Sequence, residues 1–239
     1  AGYNATFMYP KQGGIEAFAS ALGRKLPRPA ECQVHPTAID PKARTVTLST
    51  GEVLRYSKLI ATIALPELVR LCARAPNAVR EAAGKLRATT VTYVNVAALD
   101  GGAPPFHWIY LPEKMFAPYR VGSASAAVPS LAPVDHRSFY VEFSARERLD
   151  SVTVERQAIQ TLVALGFIRD GADVRFTEAR AIPGAYVIYD ENYTASKKTI
   201  FDYLAEHDIL TAGRYGRWEY SSMEDALLAG RECARSVVS

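Results

Sequence analysis

The residues best suited to chemistry lie in one run, Thr211-Ala212-Gly213-Arg214-Tyr215-Gly216-Arg217-Trp218-Glu219-Tyr220-Ser221-Ser222-Met223-Glu224-Asp225-Ala226. A short strand ends in a Gly-Arg turn, and Trp218 and Tyr220 follow two apart. Ser221, with Glu224 three residues on, predicts a capping box that opens a helix. Glycine lets the backbone approach a ligand closely. A helix start offers free N–H groups and the positive end of a dipole, which suit an anion or a developing negative charge. Gly230, inside the same helix, suits tight packing. The plainer alternative is a strand, turn and helix that only cap a sheet.

Other chemistries find little support. The four histidines, at 35, 107, 136 and 207, have no HxxxH spacing, and no GxSxG elbow occurs. No metal cluster is expected, and His107 and His207 read as structural or surface groups. With 28 Lys and Arg scattered against 25 Asp and Glu, the chain lacks a nucleic-acid footprint. Most of the carboxylates read as a solvated face. No apolar run approaches the ~18 residues of a membrane span, and no secretory leader is evident. Cys32, Cys72 and Cys233 form no CxxC pair, so reduced thiols in a cytoplasmic protein are expected. A 49% hydrophobic fraction over 239 residues argues for a folded core rather than disorder or a coiled coil.

The elements that must hold the run follow from periodicity. Ile15, Phe18, Ala19, Leu22 and Leu26 predict an amphipathic helix over 15–26, ended by Pro27 and Pro29. Strands over 45–48 and 52–55 read as a hairpin across Ser49-Thr50-Gly51. The apolar run 59–65 predicts a strand buried on both faces, with Pro66 as the first residue of a helix. Strands are predicted at 89–99, 107–111, 119–122, 138–144, 174–182, 185–189 and 208–211. Helices are predicted at 151–165, 195–205 and 222–237. This order is α+β with a mixed or antiparallel sheet and flanking helices, not regular βαβ alternation.

The segment from Gly213 to Asp225 resembles the C-terminal flavin motif of the flavin-containing amine oxidase superfamily. The similar branch is the one around UDP-galactopyranose mutase and protoporphyrinogen-oxidase-like proteins. Three further stretches resemble the same branch. Phe7-Met8-Tyr9-Pro10-Lys11-Gln12-Gly13-Gly14-Ile15 matches its YP-x-x-GG helix start. Val46-Thr47-Leu48 through Leu59-Ile60-Ala61-Thr62-Ile63-Ala64-Leu65-Pro66 matches its hairpin and its crossover into the substrate domain. His107-Trp108-Ile109-Tyr110-Leu111-Pro112-Glu113 with Tyr119-Arg120-Val121-Gly122 matches its central strands. The resemblance implies a flavoprotein oxidoreductase or mutase that uses FAD. It implies Gly213, Arg214, Trp218, Tyr220 and Met223 as flavin neighbours. It also implies Arg120, with Trp108, at a nucleotide-sugar or related small-molecule substrate. Tyr186 and Tyr189 lie on one stretch of strand and are placed to flank a nucleotide or sugar, the plainer alternative being a half-buried sheet face. Arg120 and Arg214 are expected in one anion-holding cleft. Amine oxidation is the less favoured chemistry, because no lysine matches the superfamily's flavin-facing lysine.

Two departures qualify this. The Rossmann G-x-G-x-x-G occurs nowhere in the chain, so a C-terminal fragment of a longer flavoprotein, inactive alone, is expected. At the adenine-contacting strand, counting back three from Ile39 reaches Pro36, which has no N–H to donate. Either Val34 takes that role or the contact is halved. The expected layout is 1–66 with 207–239 as the remnant of an FAD-binding α/β domain, and 67–206 as the substrate-binding domain. Apolar surface left by the missing half would favour a homodimer. The alternative function is a noncatalytic binding module that keeps the fold without flavin.

Overall fold

The structure, a computed structural model, describes residues 8–238. Phe7, the first residue of the YP-x-x-GG stretch, lies outside them. The chain divides into two compact units: Ala1–Ala30 with Thr90–Pro183, and Glu31–Thr89 with Gly184–Ser239. Compactness thus sets the boundaries near 30, 89 and 183, where the sequence reading set them near 66 and 206.

In the first unit, α1 (Glu16–Gly23) forms where the 3.6-residue pattern predicts it. Its apolar face is not buried: Ile15, Phe18, Leu22 and Leu26 are 42, 39, 45 and 53% exposed. Most of the unit is a sheet built from β5 (Arg87–Leu99), β6 (Trp108–Tyr110), β7 (Arg120–Gly122), β8 (His136–Ala145) and β9 (Val174–Ile188), in the order β6-β7-β8-β5-β9. The β6–β7, β7–β8 and β8–β5 pairs are antiparallel. Side chains alternate across such strands, so one face takes Val94, Val96, Ala98, Val121, Phe139, Val141 and Phe143. A single turn, α4 (Ala124–Ala127), follows β7, and the apolar sheet face packs on Val154, Ala158 and Leu162 of α5 (Ser151–Ala164). The Asp150 carboxylate caps α5 by accepting from the Thr153 N–H at 2.8 Å.

The strands predicted at 174–182 and 185–189 are one strand, β9, running through Pro183 and Gly184. Proline reads as a strand break, but β9 is an edge strand, where the missing donor need not leave a ladder bond unmade.

In the second unit, β1 (Pro36–Asp40), β2 (Thr45–Leu48) and β3 (Val53–Arg55) form a three-stranded sheet, and the predicted hairpin is its β2–β3 pair. The run 59–65 is shorter as a strand than expected. Only Leu59–Ala61 (β4) is extended, Ile60 is exposed, and Leu65 already opens α2 (Leu65–Leu71) with Pro66 in its first turn. β4 pairs in parallel with β10 (Ile209–Thr211), joining the predicted strands at 59–65 and 208–211. Sequence reading missed α3 (Asn77–Lys85), although Val79, Ala82 and Ala83 have helical spacing. It packs with α6 (Tyr193–Ala205), the helix predicted over 195–205, whose Ile200, Tyr203 and Leu204 face inward.

Two helices complete the unit: the single turn α7 (Gly213–Gly216), and then the 16-residue α8 (Met223–Val238). Gly216 is fixed by packing, because a Cβ there would lie 2.6 Å from the Ala61 carbonyl oxygen and 3.3 Å from the Thr62 Cα. Both obstacles are backbone and cannot rotate aside. Gly216→Ala is therefore expected to cost about 1–3 kcal/mol, read as a lowered melting temperature.

Candidate functional site

The 213–225 segment hangs between β10 and α8 and is held almost wholly by its own unit. Gly213, at φ +72°, makes the turn out of β10, and open space surrounds the position a Cβ would take. Arg214 donates to the carbonyls of Ala185 (2.5 Å) and Ser221 (3.4 Å). Its guanidinium carbon lies 4.9 Å from the Tyr186 ring centroid and 4.8 Å from that of Tyr220. Those two rings lie 6.0 Å apart and nearly parallel. The arginine is thus a strut: it satisfies two carbonyls and joins two aromatic side chains through cation–π contact. The Tyr189 hydroxyl accepts from the Tyr220 N–H at 2.7 Å, and the Tyr189 ring meets Tyr193 edge to face.

Trp218 sits at φ +50°, just past the last turn of α7, where glycine is the usual residue. For a bulky side chain that conformation costs on the order of 1–2 kcal/mol. The ring is only 5% exposed, yet its Nε1 has no hydrogen-bond partner. Its carbonyl accepts from the Tyr193 hydroxyl at 2.9 Å. Strain combined with an unmet buried donor makes Trp218 a candidate functional position. Lys197, with no counterpart in the sequence reading, donates to the Tyr193 hydroxyl at 2.9 Å and to Glu219 Oε2 at 3.0 Å. Its i, i+4 spacing from Tyr193 on α6 was the available signal.

The helix start lies one residue later than predicted. The Ser222 N–H and hydroxyl both donate to Asp225 Oδ2, at 2.7 and 2.8 Å, and the Asp225 N–H donates back to Ser222 Oγ at 3.2 Å. Ser222 and Asp225 form the reciprocal box, not Ser221 and Glu224. This frees Ser221, whose buried Oγ has no partner. The hydrogen bonds from the Ser222 backbone and then its side chain hold the Asp225 pKa below its ordinary 3.8. A depressed folded-state pKa stabilises above the unfolded value, and that contribution is lost as pH falls through the folded one. The first turn of α8 is expected to fray in acid below about pH 3.8, seen as faster amide exchange at 223–226. Ser222→Ala should produce the same fraying at neutral pH, at a cost of about 1 kcal/mol.

Beside this turn lies a cavity of about 340 Å³, lined by Gly213, Arg217, Glu219, Tyr220, Ser221, Asp225, Leu228, Ala229 and Glu232. That is within the ~300–1,000 Å³ of small-molecule sites. Arg217 pairs with Glu219 (3.2 Å) and Glu232 (3.7 Å), so the carboxylates of the lining outnumber its single arginine. Met223 stands exposed at the helix start. Val34 is half-buried just before β1, and Pro36 is the first residue of β1, in a bulged edge pairing with β2.

The other cluster lies in the first unit, on the sheet face away from α5. Register sets Tyr110, Arg120, Glu142 and Tyr93 in one row across four strands, and Trp108, Gly122, Tyr140 and Asn95 in the next. The Tyr140 ring lies over Gly122, where a Cβ would fall 1.9 Å from it, so a larger residue there would displace the ring. Arg120 Nη2 donates to both Glu142 oxygens, at 2.6 and 2.7 Å, and the Tyr119 hydroxyl donates to the same carboxylate. The Arg120 guanidinium lies 5.9 Å from the Tyr110 ring and 5.7 Å from that of Tyr119. Burial pushes the Tyr140 hydroxyl above its ordinary pKa, opposed by the charge of Arg120. Sequence reasoning missed Glu142 and Tyr119, because cross-strand partners are set by register, which spacing along one strand does not reveal.

The structure therefore gathers Gly213, Arg214, Trp218, Tyr220, Tyr186 and Tyr189 in one unit, and Trp108 with Arg120 in the other. Arg120 does have a carboxylate beside it, so charge repulsion gives no reason for it to require an anion. Among the described residues, no group of three His, Cys, Asp or Glu could hold a metal ion, and no helix is long and apolar enough to cross a membrane.

No protein-family model matches the sequence. Solved structures do match the fold. Reduced UDP-galactopyranose mutase is similar at a TM-score of 0.88 and 22% identity, over 96% of this chain and 52% of that one. A putative protoporphyrinogen oxidase from Exiguobacterium sp. 255-15 is similar at 0.73 and 13%, over 94% and 51%. A CLA-producing fatty acid isomerase from P. acnes is similar at 0.69 and 16%, over 93% and 52%. The chain spans about half the length of these structures. At such identities the likeness is one of fold, and it is the fold that the sequence motifs resemble.

Proposed function

We propose that this chain is the substrate-binding half, with the C-terminal flavin-holding elements, of an FAD-dependent oxidoreductase or mutase. The observation that carries the reading is the match of 96% of the chain to half of a UDP-galactopyranose mutase structure at a TM-score of 0.88. The 213–225 segment fits a flavin ring on its own terms. Gly213 leaves backbone open, Ser221 Oγ and Trp218 Nε1 are buried donors without acceptors, and Gly213 and Ser221 line the cavity. The acidic lining does not suit a diphosphate, which residues beyond this chain would hold. FAD, when bound, supplies the capacity to accept and return electrons. The chain's own residues do the rest. Gly213, Trp218, Tyr220 and Met223 would hold the ring, Arg214 would brace Tyr186 against Tyr220, and the α8 N-terminus would favour negative charge on the bound group.

On the substrate side, Trp108 and Tyr110 offer rings on which a base or sugar can stack, and Arg120 offers a fork suited to phosphate. Tyr186 and Tyr189, in the second unit, are further tyrosines that would flank a nucleotide or sugar. The division of labour is 1–66 with 207–239 on the flavin side and 67–206 on the substrate side. A longer protein would complete the flavin site, and this chain alone would turn nothing over. Its exposed apolar stripe on α1 is one that a second copy could cover as a homodimer. Three free cysteines suit a reducing, cytoplasmic setting.

The test is chemical-shift mapping by NMR of the isotope-labelled chain titrated with UDP-galactose. Binding should perturb Trp108 and Tyr110 resonances, whereas an unaltered spectrum at millimolar ligand refutes the substrate class. Pro36, which cannot donate where an adenine contact is expected, favours a second reading, a flavin-free binding module. Cofactor content of the whole protein separates the two.

A further inference from the structure

We infer that Glu142 is a specificity-determining residue of the aromatic sheet face. By neutralising Arg120, it makes the face refuse free phosphate or pyrophosphate and accept a diphosphate only when joined to a group that covers Tyr110 and Trp108. The inference rests on the substrate reading proposed for this face.

Glu142 stands on the ligand side of the sheet, not the core side, and its carboxylate side chain is only 10% exposed against 24% for Arg120. A buried carboxylate is costly unless paired, and here both its oxygens are occupied, by Arg120 Nη2 and the Tyr119 hydroxyl. Backbone pairing fixes the arrangement: Arg120 stands opposite Glu142, and the Tyr119 N–H donates to the Glu142 carbonyl at 2.9 Å. A solitary arginine beside two aromatic rings would take any small anion, because its planar fork matches phosphate. With Glu142 in place, an incoming anion competes with a carboxylate for the same donors and is repelled by it. The next charges along the sheet, Glu178 and Arg180, also cancel each other, paired at 2.8 Å. Net attraction for an anion is therefore small, and the missing affinity must come from ring contact. Tyr110, 61% exposed, is placed to give it.

The experiment compares inorganic pyrophosphate, uridine and UDP by calorimetric titration of this chain and of Glu142→Gln. Glutamine keeps the shape and a hydrogen-bond acceptor for Arg120 while removing the charge. Pyrophosphate should bind the variant about tenfold more tightly, since a full charge next to the guanidinium is gone. Uridine, which carries no phosphate, should bind both alike, a selectivity change that a merely structural role would not produce. Unchanged or weaker pyrophosphate binding by a variant that melts normally overturns the inference. If Glu142→Gln does not fold, Arg120→Gln/Glu142→Gln decides. With both charges removed, pyrophosphate affinity within about threefold of wild type supports cancellation, and a loss of about tenfold overturns it. Failure of UDP and uridine to bind wild type would sink the substrate reading and this inference with it. UDP binding without the gain on Glu142→Gln would sink the inference alone.

Discussion

Arg214→Ala should lower stability by about 2–3 kcal/mol and, in the whole protein, strip most of the flavin. The side chain donates to the carbonyls of Ala185 and Ser221, and charged donors contribute about 1.5–3 kcal/mol where a partner is left unmet. It also joins Tyr186 to Tyr220, and each cation–π contact adds about 0.5–1 kcal/mol. Losing the strut frees Tyr220 and Ser221, both of which line the cavity. The defect should therefore show as reduced cofactor retention at temperatures where the variant is still folded. Arg214→Lys is expected to recover little, because an ammonium cannot serve two carbonyls and two rings from one plane. Chemical denaturation and flavin absorbance per folded chain are the readouts. A variant that melts like wild type and holds full flavin would remove Arg214 from the account.

Arg120→Ala should weaken UDP-galactose binding by about tenfold or more while leaving flavin content intact. The substitution removes the only cation in its row of the sheet face. It also leaves Glu142 with the Tyr119 hydroxyl alone, so that an unneutralised carboxylate faces the ligand. Diphosphate affinity should then rank Glu142→Gln above wild type and wild type above Arg120→Ala. Titration of the three proteins gives that order directly. Equal affinities would show that the ligand does not use this face.

What was legible in the sequence was what local periodicity and termini encode. Ile200, Tyr203 and Leu204 identify the buried face of α6, and Val94, Val96 and Ala98 alternate on β5 as a half-buried strand must. The motif 213–225 was visible as a glycine turn before a capped helix, but its cap is Ser222. Ser221 and Ser222 offer the same hydroxyl, and only backbone direction decides which one meets an acid three residues on. Pro183 and Gly184 looked like a break because their tolerance depends on β9 being an edge strand, which is a property of the sheet. The apolar run 59–65 looked like one strand because hydrophobicity does not show where Leu65 leaves the strand direction for α2. For the proposed substrate face, Arg120 and Trp108 are named by resemblance. Glu142 and the Lys197–Glu219 pair are not, since each joins residues about twenty apart whose meeting is fixed by tertiary packing.

The most direct test is the cofactor content of the whole protein, made with every residue its own gene encodes around this segment and purified without added flavin. The account expects a yellow protein that releases one FAD per chain on denaturation, with Ser221→Ala and Trp218→Phe each reducing that content while the fold persists. A folded, monodisperse protein that is colourless and takes up no FAD from solution would contradict it and leave the noncatalytic binding module standing.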